Sequence, residues 1–188
     1  MSRDLHLDEI QSVLFLGIGG IGMSALARYF MQKNIAVYGY DKTETELTRE
    51  LSELGATITY QDDLELTKTH LDIIIYTPAM PKDSVLLQYF QNSQTPLLKR
   101  SEALGLITRN NTTIAVAGSH GKTTVSTMIA FVLKECGINV SAFLGGISVN
   151  FNSNYLYGDS EFVVVEADEF DKSFLRLSPD YIVLTSID

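Results

Sequence analysis

Short apolar runs alternate with stretches of helical spacing along the whole chain. Residues 13–16, Val-Leu-Phe-Leu, form a continuous apolar run of the kind a strand shows when both its faces are covered, and they lead straight into Gly17. Residues 21–33 carry helical spacing, and residues 35–40 read as a second strand that stops at Asp41. A helix is predicted over 45–54, with Gly55 just past its end, where a left-handed residue is wanted. Strands at 57–60 and 73–76 and helices at 84–92 and 101–108 complete the first half.

The polar stretch Thr108-Arg109-Asn110-Asn111-Thr112 reads as a linker, and the alternation restarts beyond it. A strand at 114–117 runs into a glycine-bearing loop at 118–122 and a helix at 123–136. Strands follow at 140–144, 162–166 and 181–185. Strand alternating with helix implies right-handed crossovers and a parallel, doubly wound sheet. The expected organisation is therefore two α/β domains, 1–109 and 110–188. The second stops directly after a strand and is short for this class, so truncation is expected.

Composition narrows the function. With 14 basic and 23 acidic residues the formal charge is −9, which offers no field to attract phosphate backbones, so nucleic acid is disfavoured as a partner. Cys136 is the single cysteine, which excludes an internal disulfide and a thiolate zinc cluster; its helix-end setting suggests a packed core thiol. No signal-peptide core opens the chain, and no apolar run reaches the roughly 18–20 residues of a membrane span. A cytoplasmic protein is expected.

Two loops carry the candidate chemistry. Gly17-Ile18-Gly19-Gly20-Ile21-Gly22 fits G-x-G-x-x-G between a strand and a helix. There Gly17 would make the tight turn, Gly19 would admit a diphosphate close to the backbone, and Gly22 would let the helix pack on the strand. Asp41, 19 residues past Gly22, stands where a carboxylate accepts hydrogen bonds from a ribose. This is a Rossmann-like arrangement for a phosphorylated nucleotide; it does not say which, and NAD is the default for the fingerprint. Glycines used only for packing, and a merely solvated Asp41, are the plain alternatives.

The second loop, Gly118-Ser119-His120-Gly121-Lys122-Thr123-Thr124, resembles a shortened phosphate-binding loop. Val116 stands where the longer pattern has its first glycine. Backbone N–H groups would cradle the phosphates of ATP, Lys122 would neutralise β/γ oxygens, and a threonine hydroxyl would hold Mg²⁺. His120 either touches phosphate or fills space, while His6 and His70 read as surface residues. Residues 162–166 form an apolar strand ending in Glu166, followed by Asp168, Glu169 and Asp171. Carboxylates at a strand end beside an ATP loop suit Mg²⁺, which prefers oxygen ligands.

Taken in order, 17–24, 117–124, then Glu166-Ala167-Asp168-Glu169 with Asp171 and Ser173-Phe174-Leu175, these motifs resemble the Mur ligases. The resemblance runs from about residue 12 to the end. It implies that the first domain binds the UDP part of UDP-N-acetylmuramate rather than NAD, with Asp41 and the segment Thr77-Pro78-Ala79-Met80 near the nucleoside and diphosphate. The second domain would be a P-loop-type domain binding MgATP, with Lys122 on the phosphates and Thr123 and Glu166 at magnesium. Gly145-Gly146 and residues 171–175 would face the muramyl sugar. The chemistry implied is ATP-dependent amide formation: a carboxylate is phosphorylated to an acyl phosphate, and an amine, L-alanine, displaces phosphate in peptidoglycan precursor synthesis. Ser119 replaces the family's usual threonine. The family's metal-binding histidine would fall beyond Asp188, and its C-terminal domain is absent, so a fragment with little or no turnover is expected.

Three other readings compete. A recycling ligase adding a tripeptide to the same UDP-sugar shares these motifs, although the 168–175 run favours the alanine enzyme. An NAD-dependent oxidoreductase rests on the first loop and Asp41 alone and leaves Lys122 and Glu166 unexplained. A non-catalytic nucleotide-binding module is the third.

Overall fold

A computed structural model describes residues 7–167 and 174–187. The chain divides into two compact units, Met1–Arg100 and Ser101–Asp188. In the first, β1 (Ser12–Leu16), α1 (Ile21–Gln32), β2 (Ala36–Tyr40), α2 (Glu46–Glu53), β3 (Thr57–Thr59), β4 (Ile73–Tyr76), α3 (Val85–Gln91) and β5 (Leu97–Lys99) follow one another. The five strands are parallel, in the order β3-β2-β1-β4-β5. This is the expected doubly wound sheet, with one strand, β5, that the sequence reading lacked.

Residues 12–16 are buried without interruption because β1 is the middle strand and both of its faces are covered. Leu14 and Leu16 share a cluster with Leu86, Leu87 and Phe90 of α3. Phe15, on the opposite face, meets Phe30 of α1 edge-on, with ring centroids 5.9 Å apart. Burying a side chain of this size contributes about 1.5–3 kcal/mol. Polar groups mark the ends. Thr45 and Thr48 close a reciprocal capping box on α2. Asp72, just before β4, accepts from the backbone N–H groups of Gln11 and Ser12 and from the Ser12 hydroxyl, at 2.9–3.0 Å, and so ties β4 to β1.

The second unit holds α4 (Arg100–Arg109) from Ser101 on, then β6 (Thr112–Ala117), α5 (Lys122–Glu135), β7 (Ser141–Ser148), β8 (Ser153–Leu156), β9 (Phe162–Glu166) and β10 (Tyr181–Leu184). The strand order is β10-β6-β9-β7-β8. β10, β6, β9 and β7 run parallel, whereas β8 returns antiparallel from β7, so this sheet is mixed. The sequence reading missed β8 because Ser-Asn-Tyr-Leu lacks a run of β-branched residues.

The division lies at the start of α4, whereas the sequence reading set it at 109/110 on a polar stretch. That stretch is hydrogen-bonded structure of the second unit rather than a loose linker. Thr108 is buried and its hydroxyl donates to the Gly105 carbonyl at 3.0 Å, and the Thr113 hydroxyl donates to the Thr108 carbonyl at 3.2 Å. Cys136 is exposed, contrary to the packed thiol expected, because it caps the far end of α5 instead of lying along its buried side. His70 lies at the surface, as read.

Candidate functional site

Register assembles the first site. Leu16 pairs with Tyr40 and with Tyr76, and Tyr76 pairs with Lys99. Because the strands are parallel, the residues that follow, Gly17, Asp41, Thr77 and Arg100, leave the sheet along one edge, the carboxyl end where ligands bind in doubly wound sheets. Gly17 adopts φ +86°, and a side chain there would press on the Thr77 methyl. Its N–H and that of Ile18 donate to the Tyr40 carbonyl at 2.8 and 3.1 Å. The Gly19 N–H donates to Asp41 Oδ2 at 2.7 Å, and the Gly20 N–H reaches back to the Gly17 carbonyl at 3.4 Å. Thr77 to Met80 form a tight turn closed by the Met80 N–H on the Thr77 carbonyl, with the Ala79 N–H on Thr77 Oγ1. Gly17, Gly19, Gly20, Gly22, Asp41, Thr77 and Ala79 thus share one end of the sheet. Asp41 braces the glycine loop in addition to any role toward a ribose.

The second site is built the same way. Val116 pairs with Glu166, Leu184 pairs with Ala117, and Phe143 pairs with Val165. Gly118, Glu166, Thr185 and Gly145 therefore converge at the carboxyl ends of β6, β9, β10 and within β7. Glu166 accepts from Thr123 Oγ1 at 2.8 Å and from the Gly145 N–H at 2.5 Å. Gly145 thereby holds the carboxylate in place, a role the sequence reading did not give it. Lys122 opens α5 and donates to the Gly118 carbonyl at 2.7 Å, folding its ammonium over the loop. Gly121 at the helix N-cap has φ +80°; Ser119, His120 and Thr124 are exposed.

Sequence reasoning missed the strap on this loop. The Ser119 N–H donates to the Ser186 carbonyl at 3.2 Å, and the His120 N–H to Ser186 Oγ at 3.1 Å. Thr185 Oγ1 reaches the carbonyls of Ala117 at 3.2 Å and His120 at 2.5 Å. Gly118, at φ +131°, lies under these atoms, where a Cβ would stand 2.8 Å from the Ser186 nitrogen. The only sequence signal was that Thr-Ser follows an apolar strand. Asp168, Glu169, Asp171 and Ser173, named with Glu166 from the sequence, lie outside the described residues. Among the described residues no three acidic, histidine or cysteine side chains cluster as a metal site. Thr123 and Glu166 nevertheless form an adjacent pair of hard oxygen donors, a chemistry that suits Mg²⁺ when phosphate oxygens and water supply the remainder. No helix of the described residues is long and apolar enough to cross a membrane.

The chain is similar in sequence and in fold to known proteins. A family model described as the Mur ligase family, catalytic domain, matches residues 12–112. The chain is 47% identical over 193 residues to a UDP-N-acetylmuramate–L-alanine ligase of Cytophaga hutchinsonii, a match covering 98% of this chain and 41% of the relative. It spans about two fifths of the length of such curated relatives. A crystal structure of the UDP-N-acetylmuramate–alanine ligase of Thermotoga maritima superposes with TM-score 0.82 at 32% identity, over 94% of this chain and 41% of that one. The Neisseria UDP-N-acetylmuramate:L-alanyl-γ-D-glutamyl-meso-diaminopimelate ligase gives TM-score 0.86 at 25% identity, covering 95% and 61%. The family match over residues 12–112, more than half of its length, together with 47% identity to a curated ligase over 98% of the chain, makes this chain a member of the Mur ligase family.

Proposed function

We propose that the chain supplies the UDP-sugar site and the phosphate loop of an ATP-dependent ligase that joins L-alanine to UDP-N-acetylmuramate. One observation carries this reading: the Thr123 hydroxyl and the Glu166 carboxylate are hydrogen-bonded to each other at the mouth of a lysine-bearing glycine loop. A nicotinamide oxidoreductase has no use for that arrangement, whereas phosphoryl transfer depends on it. The choice of UDP-N-acetylmuramate and L-alanine is supported by the 46–47% identity to ligases of that name.

In this reading the lactyl carboxylate of the muramyl group attacks the γ-phosphorus of ATP, its oxygen forms the new P–O bond, and ADP leaves. The L-alanine amine then attacks the acyl carbon, and phosphate leaves with the C–O bond pair as the amine sheds its proton. Lys122 would release the Gly118 carbonyl and turn to the phosphates, where a point charge offsets the charge that builds on the transferred group. Thr123 and Glu166 would hold magnesium, which when bound screens the phosphate oxygens from the incoming carboxylate. Glu166 is kept in place for this by the Gly145 N–H, so its position does not depend on the nucleotide. The first glycine loop and Asp41 would hold the uridine diphosphate.

Calorimetric titration of the chain with UDP-N-acetylmuramate, with UDP-glucose and NAD as controls, tests the reading. Saturable binding of the muramyl nucleotide supports it, and preference for NAD contradicts it. The tripeptide-adding activity named for the Neisseria neighbour uses the same sugar. It is separated by assaying protein that includes this chain with L-alanine against the tripeptide.

A further inference from the structure

The first glycine loop spends its own amides internally. Gly17 and Ile18 donate to Tyr40, Gly19 donates to Asp41, and Gly20 donates to Gly17. Asp41 also places a negative charge beside the loop, in a chain of net charge −9. A diphosphate arriving here is left with the amides of the first turn of α1 and meets that carboxylate, so a cation at the same sheet edge would complete the site. Arg100 meets that need. It follows β5 at the same sheet edge, is half-buried, and makes no ion pair or hydrogen bond with another described residue. Its guanidinium lies against the first turn of α1, with Nη1 2.8 Å and Cδ 3.0 Å from where a Cβ on Gly22 would stand. The N-cap of that helix, Gly20, supplies no side-chain cap. The third glycine of the motif thus makes room for an arginine, where the sequence reading had it admitting the strand.

We propose that Arg100 grips the diphosphate of the nucleotide bound at the first glycine loop, and that Gly22 is glycine because the guanidinium occupies its side-chain space. The proposal rests on the reading of that loop as a uridine diphosphate site. A guanidinium suits this role because it stays charged and its planar fork of donors fits two phosphate oxygens at once.

The test is calorimetry on the full 188-residue chain with UDP-N-acetylmuramate, UDP and UMP. Arg100→Gln is expected to weaken both diphosphates by roughly ten-fold or more and UMP less, since charge-assisted bidentate bonds are the strong ones. Arg100→Lys should recover part of the loss. Gly22→Ala should reproduce it without a change of charge, by displacing the guanidinium. Lys68→Gln, the same charge change at an exposed residue of the first unit, should bind as the unsubstituted chain does. A thermal melt of each variant confirms folding, and Arg100→Lys carries the test if Arg100→Gln is unfolded. Diphosphate affinity within about two-fold of the unsubstituted chain in Arg100→Gln, or in Arg100→Lys and Gly22→Ala together, overturns the role of Arg100 and leaves the uridine reading intact. An unsubstituted, folded chain that binds none of the three overturns the uridine reading and this proposal with it.

Discussion

The two glycine loops solve the same problem with different parts. Each leaves the carboxyl end of a buried parallel strand, turns through a glycine of positive φ, and enters a helix. The first has no charged residue of its own and is braced by a carboxylate, Asp41, from the neighbouring strand. The second carries its own cation and hydroxyl, Lys122 and Thr123, is faced by Glu166, and is strapped by Thr185 and Ser186. The first loop thus takes its charged groups from neighbouring strand ends, Asp41 after β2 and Arg100 after β5. A site that handles a transferring phosphoryl group needs charge fixed in place before the substrate arrives.

The largest expected effect falls on the strap. Gly118→Val would place a side chain at φ +131° under the backbone of Ser186, and we expect a loss of about 4 kcal/mol of stability by denaturant unfolding. Gly17→Val meets chiefly the Thr77 methyl and should cost about 2–3 kcal/mol. Equal losses would erase the distinction between a strapped and an open loop.

Charge comes next. Lys122→Ala should weaken ATP binding by about 30- to 100-fold, the scale of a lost charged hydrogen bond, and leave UDP-N-acetylmuramate binding unchanged. Glu166→Gln should abolish the dependence of ATP binding on magnesium while keeping an acceptor for the Thr123 hydroxyl; magnesium titrations at fixed ATP would check this. Ser186→Ala removes one acceptor from the His120 N–H and should cost about 1 kcal/mol, read from unfolding.

The smallest effect is on pH. Burial alone would raise the Asp72 carboxyl, but hydrogen bonds from the Gln11 and Ser12 backbone, the Ser12 hydroxyl and His70 outweigh it and hold its pKa below the ordinary carboxylate value. The stability this group contributes is therefore present above that ordinary value, near 4, and is lost as pH falls through the lowered one. Asp72→Asn should destabilise the first unit at neutral pH by a small amount and flatten its unfolding free energy below about pH 4.

Much of this was legible in the chain because period and punctuation agreed. The apolar run 13–16, the glycines after it and Asp41 at a strand end already described a doubly wound edge. What could not be read was tertiary. Gly22 faces Arg100 only because β5, a three-residue strand with no strong pattern, pairs with β4. Gly145 meets Glu166 only through the pairing of β7 with β9. The strap from Thr185 and Ser186 depends on a contact more than 60 residues away in sequence. Cys136 shows the converse: its helix-end pattern was right and its burial was not, since α5 buries only Ser126 and Ala130 fully.

The most direct test of two separate phosphate sites is a crossed titration. The unsubstituted chain, Gly17→Val and Lys122→Ala would each be titrated with UDP-N-acetylmuramate and with ATP in magnesium. With two separate sites, Gly17→Val loses only the muramyl nucleotide and Lys122→Ala loses only ATP. Loss of both ligands in a folded Lys122→Ala chain would contradict that separation.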